Sequence, residues 1–189
     1  MPNAIALLKN DHTTVRTLLG QLERAVAPRD RRRLAGRIAD ALEEHSAIEE
    51  EIFYPAYRAA AGTREDDEVY FKSLEEHELV GQAVDDLVRS DPRDPSFTGR
   101  ALVVRELVEA HASEEERSLF PRSVKLLGEQ RLSELGDEIE CRKQSARQER
   151  PRDEDPRPRR GGWADCGRQY ARCGYRFAVP FCGSITVRW

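Results

Sequence analysis

The sequence predicts an all-α protein whose main domain is an antiparallel up-down-up-down four-helix bundle. Within residues 1–130, four segments carry apolar side chains in steps of three and four, the period of a helix with one buried face. Breaks that contain proline or glycine separate these segments. The four histidines of the chain are spaced 33, 32 and 34 residues apart, so helices of matched length place one histidine on each helix at one level.

Each predicted helix is defined by an apolar stripe that includes one histidine. In chain order the stripes are Ile5, Leu8, His12, Val15, Leu19 and Leu22; Leu34, Ile38, Leu42, His45, Ile48 and Ile52; Tyr70, Leu74, His77, Val80, Val84 and Leu87; and Val104, Val108, His111, Glu115 and Leu119. Glu115 is therefore expected on the buried face of its helix, and Glu49 at the margin of that face beside Ile48.

The predicted turns lie midway between consecutive histidines, at residues 27–29, 61–62 and 91–95. Equal path lengths on either side of a reversal return each histidine to the level of the one before it. At about 1.5 Å per residue, ~16 residues place each histidine roughly 24 Å from a turn, deep within the bundle.

We assign the bundle to residues 1–125 and a candidate fifth helix to residues 126–147. The apolar side of the fifth helix would be Leu126, Leu127, Leu132, Leu135 and Ile139, interrupted by Gly128 and Gly136. Residues 148–162 lack apolar side chains and are predicted to be a disordered linker. The irregular tail at residues 163–189 fits a small strand hairpin, a segment that docks on the bundle, or a segment without function.

Composition and charge restrict the function further. The chain lacks a run of 18 apolar residues and a basic, apolar N-terminal leader, which predicts a cytoplasmic protein that does not enter a membrane. Residues 1–140 carry 19 basic and 30 acidic side chains, so we do not expect the bundle to bind nucleic acid. The remainder carries 12 basic and 5 acidic side chains and suits an acidic partner, which the sequence does not identify.

The cysteines also lie outside the predicted bundle, so it is not a disulfide scaffold. They are Cys141, Cys166, Cys173 and Cys182, and their spacing matches no paired zinc-ligand pattern.

An internal repeat relates the second and fourth helices. The segments at residues 45–55 and 111–121 share a histidine, glutamates four and five residues after it, an aromatic residue nine residues after it and a proline ten residues after it. The domain is therefore interpreted as two hairpins, each pairing a one-ligand helix with a two-ligand helix. Pro55 and Pro121 are expected to kink or end their helices.

Histidine and glutamate four residues apart lie on one face of a helix. Together with the two remaining histidines, the pairs His45/Glu49 and His111/Glu115 would gather four imidazoles and two carboxylates in the core. Without a cation this arrangement is costly, because buried carboxylates repel and lose solvation. Two divalent metal ions would remove that cost, and nitrogen and oxygen donors favour iron, manganese or zinc over soft metals. Six ligands for two metals leave open positions for dioxygen, peroxide, nitric oxide or water.

The alternative is that each histidine is an ordinary core residue with a hydrogen-bond partner. We interpret several other glutamates as solvated surface: Glu43, Glu44, Glu50, Glu51, Glu114 and Glu116. The offsets of Glu44, Glu76 and Glu78 from the predicted ligands point their side chains away from the cluster. Tyr54 and Phe120 occupy equivalent repeat positions and fit either core packing or, for Tyr54, a hydrogen bond to the ligands.

The pattern His12, His45-x3-Glu49, His77 and His111-x3-Glu115 resembles the hemerythrin-like HHE cation-binding domain over roughly residues 3–125. The resemblance implies a four-helix bundle around a non-haem di-iron centre with an oxo or hydroxo bridge. It also implies that the two glutamates bridge the metals and that the histidines are terminal ligands.

One departure from that family concerns the third helix, where oxygen-carrying hemerythrins have a His-x3-His pair. Ser73 and Gly81 stand four residues from His77 and cannot replace an imidazole. Reversible oxygen carriage is therefore not the expected function. We predict a di-iron binding protein that senses or handles oxygen-related ligands or iron, and we rank an enzymatic role below this function. The alternatives are a redox enzyme acting on peroxide or nitric oxide, and a metal-dependent regulatory or interaction module.

Overall fold

The computed structural model describes residues 2–149, and the regular structure of that range is helical throughout. The helices are α1 Ala4–Arg24, α2 Pro28–Ile48, α3 Tyr54–Ala60, α4 Arg64–Arg89, α5 Pro95–Glu114 and α6 Phe120–Glu149. Two π-helical turns, Glu49–Phe53 and Glu115–Leu119, join α2 to α3 and α5 to α6. The predicted tail and most of the predicted linker lie outside the described residues.

The long helices form a closed ring of four. Helix α1 packs against α2 and α5, α2 packs against α4, and α4 packs against α5. Short connections join α1 to α2, α3 to α4 and α4 to α5, and α3 continues α2 through a π-turn, so the four long helices alternate in direction along the chain. The predicted all-α four-helix bundle is therefore confirmed. Within the described residues, no helix is both long enough and apolar enough to cross a bilayer.

The connections coincide with the predicted turns. Pro28 and Pro95 occupy the first turns of α2 and α5, where a missing N–H costs nothing because it would have no helical partner. The side chains of Asn3, Thr63 and Asp94 accept backbone N–H bonds at the starts of α1, α4 and α5. These local signals determine where the helices begin, and helices with these starting points place the histidines at one level of the bundle.

The sequence predicted that Pro55 and Pro121 would either kink or end their helices, and neither proline ends its helix. The N–H of Tyr54 donates to the carbonyl of Glu49, and the N–H of Phe120 donates to the carbonyl of Glu115. These five-residue spacings insert one extra residue into the turn just before each proline, which itself has no N–H to donate. The chain continues as α3 and α6, so the repeat encodes a widened turn that begins at the predicted ligand glutamate.

The histidine level divides the bundle core into two apolar clusters. One cluster contains Val15 and Leu42 and extends towards the α1–α2 and α4–α5 connections. The other contains Leu8 and the buried rings of Phe53 and Phe120. A polar layer between two apolar cores is shielded from water on both sides.

Helix α6 covers one side of the bundle. It changes direction at Gly128, whose φ of 70° lies in the left-handed region that glycine tolerates. Beyond this bend Leu132, Leu135 and Ile139 are fully buried, in the second apolar cluster. The candidate fifth helix is therefore present as the distal part of α6, which packs against α1.

At Gly136, α6 lies very close to the start of α1. A Cβ at Gly136 would lie 2.6 Å from the carbonyl oxygen of Pro2, whereas a Cβ at Gly99 in α5 would have no neighbour within 4 Å. We expect Gly136→Ala to destabilise the protein by about 1–3 kcal/mol through overpacking. Gly99→Ala, the matched control, should stabilise it by about 0.5–1 kcal/mol through helix propensity. Urea denaturation measures both, and equal effects of the two substitutions would contradict the close approach.

Candidate metal centre

All four histidines meet in the centre of the bundle. The rings of His12 and His45 lie 4.8 Å apart between centroids, and those of His77 and His111 are also 4.8 Å apart. Each pair comes from one hairpin, α1 with α2 or α4 with α5, and all four side chains are buried. The equal path lengths inferred from the sequence therefore do bring the histidines to one level.

Glu49 lies between the two histidine pairs. Its Oε2 atom is 3.2 Å from Nε2 of His45 in the first hairpin and 3.2 Å from Nε2 of His77 in the second. The carboxylate is fully buried. Glu49 therefore reaches one imidazole of each hairpin and belongs to both groups of potential ligands.

Glu115 repeats this arrangement from the second hairpin. Its Oε2 atom is 3.2 Å from Nε2 of His12 and 3.6 Å from Nε2 of His111. The donor atoms form two sets, each within a 4.8 Å span: His12, His45, Glu49 and Glu115; and Glu49, His77 and His111. The structure thus brings together all six residues that the sequence pattern selected.

Several of these donor atoms have no hydrogen-bond partner among the described residues, although water is excluded from them. They include Nε2 of His12 and of His45, Oε1 of Glu49 and Oε2 of Glu115. Burial and the neighbouring Glu115 carboxylate raise the pKa of Glu49 well above its ordinary value. Burial also lowers the pKa of His45 to about 4, which favours the neutral imidazole that metals bind. Unpaired lone pairs converging in a dry core fit a bound cation.

The outward-facing Nδ1 atoms have carboxylate neighbours of their own. Nδ1 of His12 is 2.8 Å from Glu116, and Nδ1 of His77 is 2.8 Å from Glu50. An Nδ1–H that donates to a carboxylate leaves the Nε2 lone pair free for a metal and holds the ring in place. The interpretation of these two glutamates as solvated surface is therefore wrong.

His111 follows the same pattern, whereas the acid that faces His45 lies beyond hydrogen-bond distance. Nδ1 of His111 is 2.9 Å from Glu76, while Nδ1 of His45 is 3.7 Å from Asp11. Glu76 does point away from the ligand atoms, as expected, but towards the back of a neighbouring imidazole. Sequence reasoning missed this role because the contact crosses from one helix to the next.

A signal for these partners was nevertheless present in the repeat. Glu50 and Glu116 are the second glutamates of the two repeated segments, and Asp11 and Glu76 each precede the single histidine of a one-ligand helix. Pairing each of these four acids with a histidine of an adjacent helix would have predicted all four acid–histidine contacts. The periodicity of one helix alone does not reveal such pairs.

Tyr54 and Phe120 differ although they occupy equivalent repeat positions. The hydroxyl of Tyr54 donates to Oε1 of Glu115 at 2.8 Å and lies 3.3 Å from Nε2 of His77. Burial and the nearby Glu115 carboxylate raise the pKa of Tyr54 well above its ordinary value, so the phenol stays protonated as a donor. Phe120 instead stacks on His12, with 5.8 Å between centroids. Tyr54 thus contributes both packing and a hydrogen bond to the cluster.

A cavity of about 20 Å³ adjoins the four histidines on the side of the first apolar cluster. Its remaining walls are apolar apart from one serine: Val15, Leu42, Ser46, Val80, Val108 and Ala112. This volume has room for about one water-sized molecule next to the ligand nitrogens.

Comparison with known proteins agrees with this geometry. Residues 3–123 match the Hemerythrin HHE cation binding domain family. An uncharacterized protein of Mycobacterium tuberculosis is 31% identical over 146 residues, which cover 74% of this chain and 84% of that protein. A DNA nickase of Nostoc is 25% identical over 142 residues, covering 75% of this chain and 39% of the nickase.

A solved structure supports the same relationship. The crystal structure of a hemerythrin HHE cation-binding domain-containing protein from Mycobacterium kansasii superposes with a TM-score of 0.69 at 27% identity. The match covers 78% of this chain and 89% of the other.

Proposed function

We propose that this chain, which belongs to the hemerythrin HHE cation-binding domain family, holds two iron ions and senses or handles small oxygen-related ligands or iron. The observation that carries the proposal is the pair of overlapping donor sets, in which six buried side chains direct nitrogen and oxygen atoms to two adjacent positions. Four of these residues, all in the first set, have ligand atoms without a hydrogen-bond partner among the described residues. A single metal would leave one of the two histidine pairs without a cation.

The residues divide by hairpin. His12 and His45 would hold one metal, His77 and His111 the other, and Glu49 with Glu115 would span the two positions. The acids behind the histidines would orient the rings so that Nε2 faces inward. When bound, iron would supply reversible ligand binding and electron exchange with oxygen-related molecules.

The donor chemistry supports iron over soft metals. Both sets consist of imidazole and carboxylate groups. Cys141, the one cysteine of the described residues, is exposed and belongs to neither set. Manganese and zinc accept the same donors, so the choice of iron rests on the family relationship.

The surroundings support a small ligand. The cavity beside the histidines admits about one water-sized molecule and is mostly apolar, which suits a diatomic gas or peroxide better than an organic substrate. On another side of the cluster the Tyr54 hydroxyl donates to Glu115 and supports that carboxylate. Ser73 and Gly81, the positions that would supply a fifth histidine, leave the metals short of one imidazole relative to oxygen carriers. Open coordination of this kind favours sensing or handling over oxygen carriage.

The test is to reconstitute the full chain anaerobically with ferrous iron, measure bound metal, and record the spectrum before and after exposure to air. We expect two irons per chain and new near-ultraviolet charge-transfer absorption after exposure. Parallel loading with manganese and zinc ranks the metals. Protein that retains no iron and gains no absorption would overturn the proposal.

The same cavity favours redox chemistry on peroxide or nitric oxide as a second candidate function. Adding hydrogen peroxide to the loaded protein separates the two candidates. Sustained turnover supports an enzyme, whereas a single spectral change without turnover supports a sensor or a handling protein.

A further inference from the structure

A second layer of charged groups stands behind two of the acids that contact the histidines. Nη1 of Arg16 is 2.8 Å from Oε1 of Glu116, which contacts His12. Nζ of Lys72 is 2.9 Å from Oε1 of Glu76, which in turn contacts a second-hairpin histidine. Each arrangement is a chain of cation, carboxylate and imidazole, and both cations belong to helices of the bundle itself.

The third such chain recruits a residue from outside the bundle. Nζ of Lys143, on α6, is 2.5 Å from Oδ1 and 2.7 Å from Oδ2 of Asp11, and Asp11 faces Nδ1 of His45. The Lys143 and Asp11 side chains are only 14% and 16% exposed. Ion pairs shielded to this degree are stronger and better ordered than pairs on the open surface.

Asp11 is also the most weakly engaged of the four acids with its histidine. Its Oδ2 atom is 3.7 Å from Nδ1 of His45, against 2.8–2.9 Å for the other three contacts, and Nδ1 of His45 has no hydrogen-bond partner among the described residues. The position of this carboxylate is therefore set mainly by Lys143. Without the ammonium group, Asp11 would lose its close partner and would gain solvation by turning outward.

We infer that Lys143 is a positioning residue for the metal centre: it holds Asp11 against the back of His45 and so orients the Nε2 atom that faces the first-hairpin metal. The inference rests on the proposed function only in requiring that metal binds at the two donor sets. It assigns part of the metal centre to α6, beyond residues 3–123 that match the family.

The geometry predicts an effect on one metal position and not on the other. Lys143 acts through Asp11 on His45, in the first donor set, while the second set has its own cation, Lys72. Lys72 is 50% exposed and also contacts Glu114, so its removal should matter less. A general loosening of the bundle would instead release both metals alike.

The experiment follows iron release from the loaded full-length chain into excess chelator. We expect Lys143→Met to release one of the two irons about tenfold faster than wild type, and the other at the wild-type rate, since outer partners of metal ligands are typically worth 10–100-fold in affinity. Asp11→Asn should accelerate the same iron. Lys143→Arg, which keeps the charge, should restore slow release.

Arg131→Gln is the matched control, because within residues 2–149 this α6 cation pairs only with Glu134 and Glu138 on the same helix, and its removal should leave both rates unchanged. Circular dichroism establishes that each variant keeps its helices. The inference would be overturned if Lys143→Met and Asp11→Asn released both irons at the wild-type rate, or if they accelerated the release of both irons equally. Either result would leave the di-iron proposal intact. A wild-type chain that never retains two irons would overturn the proposed function and this inference with it.

Discussion

Loading the protein with iron is expected to raise its melting temperature by about 10 °C. The metal-free core holds two buried carboxylates and several unpaired ligand atoms, and a bound cation satisfies them only in the folded state. Metal present at 1,000 times its dissociation constant contributes about 4 kcal/mol to folding. For a chain of this size each kcal/mol corresponds to about 2–4 °C.

Scanning calorimetry of the metal-free and iron-loaded forms at neutral pH, under anaerobic conditions, measures this shift. A variant lacking one imidazole from each hairpin, His45→Ala with His77→Ala, is the control and should show little response to iron. Equal melting of the two wild-type forms would contradict a metal site in the core.

Replacing Glu49 with glutamine is expected to have opposite effects on the two forms. In the metal-free protein Glu49→Gln removes a fully buried carboxylate that repels Glu115, and should stabilise the fold by about 1–3 kcal/mol. In the presence of iron the same change removes a donor shared by both sets, and should abolish most of the stabilisation by metal.

The pH dependence gives this prediction a second readout. Burial raises the pKa of Glu49 above its ordinary value near 4.5, so between these two pKa values the native state binds more protons than the unfolded state. The contribution of Glu49 to stability is therefore lost as pH rises through that window. The advantage of Glu49→Gln in the metal-free protein should be small at pH 4 and grow towards pH 7.

Chemical denaturation at several pH values, with and without iron, measures both effects. Glu51→Gln is the control: Glu51 lies in the same π-turn but is half exposed and contacts Arg142 on the surface, so its replacement should change stability by less than about 0.5 kcal/mol. Destabilisation of the metal-free protein by Glu49→Gln at every pH would show that the carboxylate is not a net cost to the fold.

Much of the site could be predicted because it lies on regular helices with known periods. The steps of three and four placed His12, His45, His77 and His111 on buried faces, and prolines near the turns set the helix lengths that level them. The four-residue spacing of histidine and glutamate is likewise a property of a single helix. Such features can be predicted without knowing how the helices pack against one another.

The features that were missed depend on contacts between helices. Glu50 and Glu116 belong to a run of acids that resembles a solvated face, and only the packing of the neighbouring hairpin brings each to the back of an imidazole. The π-turns at Glu49–Phe53 and Glu115–Leu119 were also not predicted, because the 3.6-residue period of an α-helix does not reveal one inserted residue that shifts the helix face locally.

The sequence by itself determined the bundle, the level of the histidines and the six candidate ligands, because helix period and turn position are local properties of the chain. Tertiary structure alone decided which histidines lie together, which acids face their Nδ1 atoms, and that Lys143 reaches Asp11 from the sixth helix. Those choices depend on side-chain distances across helix interfaces, and such distances follow from the packing of the whole domain.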